Sequence, residues 1–207
     1  IIRRNNPQAK VLAGAVTTAG IKGGFVDRLI DAGVLDYADG ISLHPYVHCE
    51  GNDRNTPESW INWMRDLDRR FTALAHKPVP LYLTEMSWPS HEGRCGIDAA
   101  HQAAYLARAW FLARTVPSIK GIWWYDLIDD GSKRDDQEHN FGLLTVDLSP
   151  KPAYSVLKAI SPYLQDFDYD AAASQQADGV YKLAFSDGHE KIVVAWATGR
   201  PREDQIS

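Results

Sequence analysis

Four short apolar runs, each followed by an amphipathic stretch, organise most of the chain. Residues 10–17 (Lys-Val-Leu-Ala-Gly-Ala-Val-Thr) predict a first strand, and Phe25, Val26, Leu29 and Ile30 then share one face of a short helix that stops at Gly33. Residues 40–46 (Gly-Ile-Ser-Leu-His-Pro-Tyr) predict a second strand. Thr56 is placed to cap a helix with Pro57 in its first position, and Trp60, Met64, Leu67, Phe71 and Leu74 form that helix's apolar stripe. Residues 80–85 predict a third strand; Asp98 then caps a helix that buries Tyr105, Leu106, Ala109, Trp110 and Ala113. Residues 120–125 (Lys-Gly-Ile-Trp-Trp-Tyr) predict a fourth strand, and after a long polar loop Pro152 opens a helix carrying Tyr154, Leu157 and Ile160.

Near-continuous apolar strands alternating with amphipathic helices predict an α/β fold with a parallel sheet covered by helices. The pattern changes after Pro162. Residues 180–185 and 191–198 alternate in polarity around Ser-Asp-Gly-His and predict a β-hairpin, and residues 199–207 are polar and expected to fray. The expected organisation is therefore a βα domain over 1–165 and a β-rich accessory segment over 166–207. Four βα units do not close a barrel, and an open four-stranded sheet leaves two long edges unpaired. The unit is either a small open α/β domain or half of an eight-unit barrel.

Composition narrows the function classes. The 207 residues are 44% hydrophobic and 24% charged, ordinary for a globular protein with a real core. The net charge of -5 and the absence of a basic stripe argue against a nucleic-acid partner, and no apolar run is long enough for a membrane span. The chain starts at Ile1 with neither Met nor signal peptide, which reads as a processed or trimmed product. Seven Trp and nine Tyr are many for this length, and several fall near strand ends, where aromatic faces suit sugar rings. No Walker or Rossmann glycine spacing precedes a helix, and no cofactor is implied.

The chemistry concentrates at the strand ends. His44-Pro45-Tyr46 closes the second strand, Thr84-Glu85-Met86-Ser87-Trp88 the third and Trp123-Trp124-Tyr125-Asp126 the fourth; Asn140-Phe141-Gly142-Leu143 and Pro150-Lys151-Pro152-Ala153-Tyr154 follow. A carboxylate at the C-terminal tip of a barrel strand sits where such folds place their chemistry. In this order the motifs resemble the C-terminal half of a retaining glycoside hydrolase of the (β/α)8 clan, family 39 and exopolysaccharide endoglycosidases first and family 5 cellulase-like enzymes next. The resemblance implies that the four strands are strands five to eight of the barrel, and that the hairpin belongs to a partial β-sandwich. It also implies that Glu85 is the nucleophile. Alternation along the strands puts Ser42, His44 and Tyr46 on one face and Leu81, Leu83 and Glu85 on one face of the next strand, so that His44 and Tyr46 could donate to Glu85. Either Trp124 or Tyr125 would floor the sugar subsite, and Trp88 would flank the cleft. Asp129 and Asp130 read as solvated loop acids that could also bind hydroxyls.

The same resemblance places the acid/base on a glutamate directly after an asparagine, and Asn-Glu occurs nowhere in the chain. Glu50, Glu58, Glu92, Glu138 and Glu190 fall in loops, a helix start or the hairpin. The chain is thus expected to hold the nucleophile half of an active site for a poly- or oligosaccharide and to be nearly inactive alone. A second copy could pair with its edge strands and complete a barrel. Cys49 and Cys95 fall in loops at the same end of adjacent strands: either a disulfide bracing the cleft, suited to a periplasmic or secreted protein, or two unrelated thiols. Two rival readings remain. One is a non-catalytic carbohydrate-binding half-barrel. The other is a metal-dependent hydrolase using His44, His48, Glu85 and Asp126, disfavoured because no His-x-His pair exists.

Overall fold

The computed structural model describes residues 1–51 and 54–199, which fall into two compact units, Ile1–Lys158 and the chain from Ala159 onward. In the first unit the order is α1 (Ile2–Asn5), β1 (Leu12–Thr17), α2 (Thr18–Lys22), α3 (Phe25–Asp31), β2 (Gly40–His44), α4 (Pro57–Ala75), β3 (Leu81–Met86), α5 (Ala99–Ala113) and β4 (Ile119–Trp124), with α6 (Pro152–Ile160) following. The four strands are parallel and lie in chain order, β1-β2-β3-β4. This is the α/β architecture of a partial barrel, four strands each followed by helix.

The long helices form where local chemistry starts them. The Thr56 hydroxyl accepts from Ser59 N at 3.2 Å with Pro57 in the first turn, and the Asp98 carboxylate accepts from His101 N at 2.7 Å. The stripe of α4 buries Trp60, Met64 and Phe71 completely, and Ile41, Leu43, Leu81 and Leu83 of the two central strands are equally closed off. Arg108 of α5 joins Glu58 of α4, with Nε to Oε1 at 2.7 Å. The short α3 departs from expectation: Val26 and Ile30 are its buried residues, while Phe25, its first residue, lies exposed beneath the Arg28 guanidinium. Leu74 and Tyr154 are likewise surface residues.

Edge and centre differ along the sheet. β2 is buried almost throughout, whereas β1 and β4, each with one neighbour, are mostly half-buried or exposed, with Val16 of β1 the exception. β1 carries a bulge at Gly14 and Ala15, both with positive φ, and a Cβ on Gly14 would meet Ser42 O at 2.7 Å. Trp123 of β4 is half exposed and stacks on Tyr82 of β3.

The second unit is a three-stranded antiparallel sheet, β5 (Asp168–Ala177), β6 (Val180–Ser186) and β7 (Lys191–Ala197), in that order. The expected hairpin is β6–β7, paired from Val180↔Ala197 to Ser186↔Lys191. β5 was not expected. Its Asp-Tyr-Asp-Ala-Ala-Ala-Ser-Gln-Gln-Ala sequence is poor in strand formers; it forms by pairing with the open edge of β6 and is interrupted between Asp170 and Gln175. Except for Gly199, the tail expected to fray lies outside the described residues.

Candidate active site

A break in strand alternation aims Glu85. Leu81 and Leu83 are fully buried on the side of β3 that faces the helices, the side on which Trp124 of β4 meets Trp110 of α5 at 5.7 Å. Tyr82 and Thr84 face the other side, where Ser42 pairs in register with Tyr82 and bonds to Thr84 at 2.6 Å. Strict alternation would send Glu85 to the leucine side. Instead, Leu83 pairs with Ile122 and Met86 with Trp124, so that Thr84 and Glu85 together oppose Trp123. This bulge turns Glu85 toward His44 and Tyr46. The expectation that Leu81, Leu83 and Glu85 share the face of His44 is corrected: the leucines lie opposite, and only the carboxylate crosses.

At the end of β2 the chain turns sharply, with Tyr46 N donating to His44 O at 3.0 Å and the Thr18 hydroxyl of α2 donating to Tyr46 O at 2.7 Å. The turn brings two side chains to one oxygen. His44 Nδ1 lies 3.1 Å from Glu85 Oε2, and the Tyr46 hydroxyl donates to the same Oε2 at 3.3 Å. Oε1 has no protein hydrogen-bond partner among the described residues. Burial, followed by the charge of Glu85, raises the Tyr46 phenol far above its ordinary value, so it remains a donor.

Glu85 opens into a pocket of about 270 Å³ lined by Tyr46, His48, Tyr125, Glu138 and Phe141. Phe141 is the hub: Tyr46, His48 and Tyr125 meet it edge-on at 5.9, 5.5 and 5.5 Å. The Tyr125 hydroxyl donates to Asp130 Oδ2 at 3.2 Å; burial and that bond push its phenol up to about 12. Burial lowers His48, which is therefore neutral at neutral pH. His48 entered from sequence only as a candidate ligand of the metal-dependent reading, and Glu138 and Phe141 were not singled out as site residues. Phe141 carried a clue in Asn-Phe-Gly-Leu, whereas Glu138 reaches the pocket from a single 3₁₀ turn, Gln137–His139, that has no periodicity to read.

Several expected site residues lie elsewhere. Trp88 is completely buried between Trp60 and Tyr105, at 6.1 and 5.4 Å, and flanks no cleft. Trp124 packs on α5 and donates from Nε1 to Phe141 O at 3.0 Å; the aromatic at the pocket is Tyr125. Asp129 is no solvated acid but a buried partner of Lys151 at 2.9 Å. Glu50 pairs with Lys22 and Glu92 with Arg134, both in surface loops. Cys49 and Cys95 form a disulfide that joins the loops leaving β2 and β3. Among the described residues no three His, Cys, Asp or Glu side chains gather as metal ligands.

Asp126, behind Tyr125, gives a first prediction. Burial, then the charges of Asp130 and Asp129, push its carboxyl up to about 6, and its Oδ1 is buried without a partner. The folded chain thus holds this proton more tightly than the unfolded chain, whose value is near 3.8. The cost of ionised Asp126 is absent below about pH 4, grows through about pH 6 and is complete above it. Because the group is only half-buried, solvent screening reduces the penalty to about 1 kcal/mol. Asp126→Asn should therefore raise the melting temperature by a few degrees at neutral pH and lose that gain in acid, as thermal unfolding across pH will report.

With that geometry in place, similarity to known proteins becomes informative. No protein-family model matches the chain, and no curated protein matches it. Among solved structures, a family 39 glycoside hydrolase from the gut symbiont Bacteroides cellulosilyticus WH2 superposes over 96% of this chain with a TM-score of 0.74 and 28% identity. The chain is related to (β/α)8-barrel glycoside hydrolases. It spans 42% of the length of that family 39 protein. A GH5_18 structure from Bifidobacterium longum subsp. infantis shares the fold over 63% of this chain and 31% of its own, with a TM-score of 0.51 and 19% identity.

Proposed function

We propose that this chain carries the nucleophile half of a retaining glycosidase site acting on O-glycosidic bonds of a poly- or oligosaccharide, in a periplasmic or secreted setting that suits its disulfide. The observation that carries the reading is the convergence of His44 and Tyr46 on Oε2 of a strand-tip glutamate. Two side chains on one oxygen fix the plane of the carboxylate. Oε1 is then the attacking atom: its electron pair forms the bond to the anomeric carbon as the carbon–oxygen bond to the leaving group breaks. A second carboxyl group, about 5–5.5 Å away in retaining enzymes, would protonate the leaving oxygen and later deprotonate the attacking water. Tyr125 and Phe141 give the sugar apolar faces to rest on.

The test is covalent trapping. A dinitrophenyl glycoside fluorinated next to the anomeric carbon forms its glycosyl-enzyme readily and releases it slowly. The purified chain should gain one glycosyl mass, mapped by peptide sequencing to Glu85, and Glu85→Gln should gain none. Labelling at another residue, or equal labelling of Glu85→Gln, overturns the assignment; sugar binding with no adduct from any member of a glycoside panel favours a non-catalytic binding module.

A further inference from the structure

We propose that Thr84, oriented by Ser42, is a positioning residue that fixes the ring of His44 and, in its neutral form, the tautomer, so that Nδ1–H faces Glu85. The inference rests on the reading of Glu85 as the nucleophile. Four side chains on adjacent strands form an unbroken line. His44 Nδ1 lies 3.1 Å from Glu85 Oε2, His44 Nε2 lies 3.0 Å from Thr84 Oγ1, and Thr84 Oγ1 lies 2.6 Å from Ser42 Oγ. A neutral imidazole has one N–H and one lone pair, and the partner of one nitrogen decides the other.

For a neutral imidazole, two polarities are available. In the first, Ser42 donates to Thr84, Thr84 donates to Nε2, and Nδ1–H faces the carboxylate. In the second, Nε2–H donates to Thr84 and Thr84 to Ser42, which leaves the Nδ1 lone pair against a carboxylate oxygen at 3.1 Å. The second sets two electron-rich atoms against each other in a half-buried site, where solvent screens them poorly. The first leaves no such contact. It also explains a polar residue in the buried centre of β2: Ser42 is 6% exposed and sits between Ile41 and Leu43, both wholly buried. A buried serine hydroxyl is costly unless it is hydrogen-bonded, and its bond here is to Thr84.

The consequence is at Glu85. With Nε2 held, the ring cannot turn over, and its N–H joins the Tyr46 hydroxyl on Oε2, keeping Oε1 clear. Without the Thr84 hydroxyl, Nε2 loses its donor and the ring is free to rotate toward other partners.

Nitrogen NMR of the imidazoles, run without sugar at mildly alkaline pH, tests this. His44 should show a protonated Nδ1 and a bare Nε2 as a single species. Thr84→Val should convert that species into a mixture with protonated Nε2, and Thr84→Ser, which restores the hydroxyl, should recover the original signal. A wild-type His44 protonated at Nε2 or at both nitrogens, or a Thr84→Val spectrum identical to wild type, overturns the proposal. Because no glycoside is present, this result is independent of the trapping experiment at Glu85.

Discussion

Lys151→Ala is expected to destabilise the chain by about 3–5 kcal/mol, the loss typical of removing one partner from a buried ion pair. Lys151 Nζ donates to Asp129 Oδ1 at 2.9 Å, to Asp129 Oδ2 at 3.3 Å and to Asn140 O at 3.1 Å, and both charged side chains are 8% exposed. Asp129 also accepts from Gly142 N at 2.7 Å. Burial lowers Lys151 from its ordinary value, against the opposing pull of Asp129. The alanine variant leaves the Asp129 carboxylate enclosed with one backbone donor and no cation. The damage should reach the pocket, because the pair anchors the segment on either side of Phe141. Urea unfolding gives the stability loss, and replacing Lys151 and Asp129 together by Met and Leu should recover most of it. A Lys151→Ala chain as stable as wild type would show that the pair contributes nothing to holding this loop.

Much of this architecture was legible before any coordinates, because it depends on signals that act locally. The caps at Thr56 and Asp98 and the proline at 57 set helix starts through side chain–backbone bonds that the sequence states directly. The apolar stripe of α4 follows from a period that packing obeys. Glu85 was legible for the same reason, as an acid ending an apolar strand. What stayed hidden is non-local. The bulge at Thr84–Glu85 reverses a face assignment that alternation makes confidently, and it appears only when β3 is paired with β4. Trp88 and Trp124 look like cleft aromatics because they adjoin strand tips, yet the volume between α4 and α5 claims Trp88 and the face of α5 claims Trp124. β5 depends on a partner edge rather than on its own composition. Glu138 and Asp129 lie in one polar loop and reach opposite fates, pocket rim and buried pair, through contacts that no local pattern encodes.

Leaving-group ability should decide which glycosides this chain can attack. A nucleophile without its acid can still displace a group that departs as a stable anion, but not one that must be protonated as it leaves. General acid catalysis contributes about 10²–10⁴-fold in such reactions. The purified chain is therefore expected to glycosylate Glu85 with a dinitrophenyl glycoside and to leave the corresponding aryl glycoside of a poorly acidic phenol essentially intact, with a rate gap widened by that factor. Added azide, a nucleophile that needs no base, should turn the trapped intermediate over and yield a glycosyl azide with the anomeric configuration of the starting glycoside. Glu138 supplies the sharpest challenge, since among the described residues it is the one other carboxylate lining the pocket. If Glu138 protonates the leaving group, the rate gap will be small in the wild-type chain and will open in Glu138→Gln. If the acid is absent, Glu138→Gln will leave the gap unchanged. Robust hydrolysis of poorly activated aryl glycosides with retention by these 207 residues would overturn the half-site reading, whereas a gap of the expected size would confine this chain's chemistry to the nucleophilic step at Glu85.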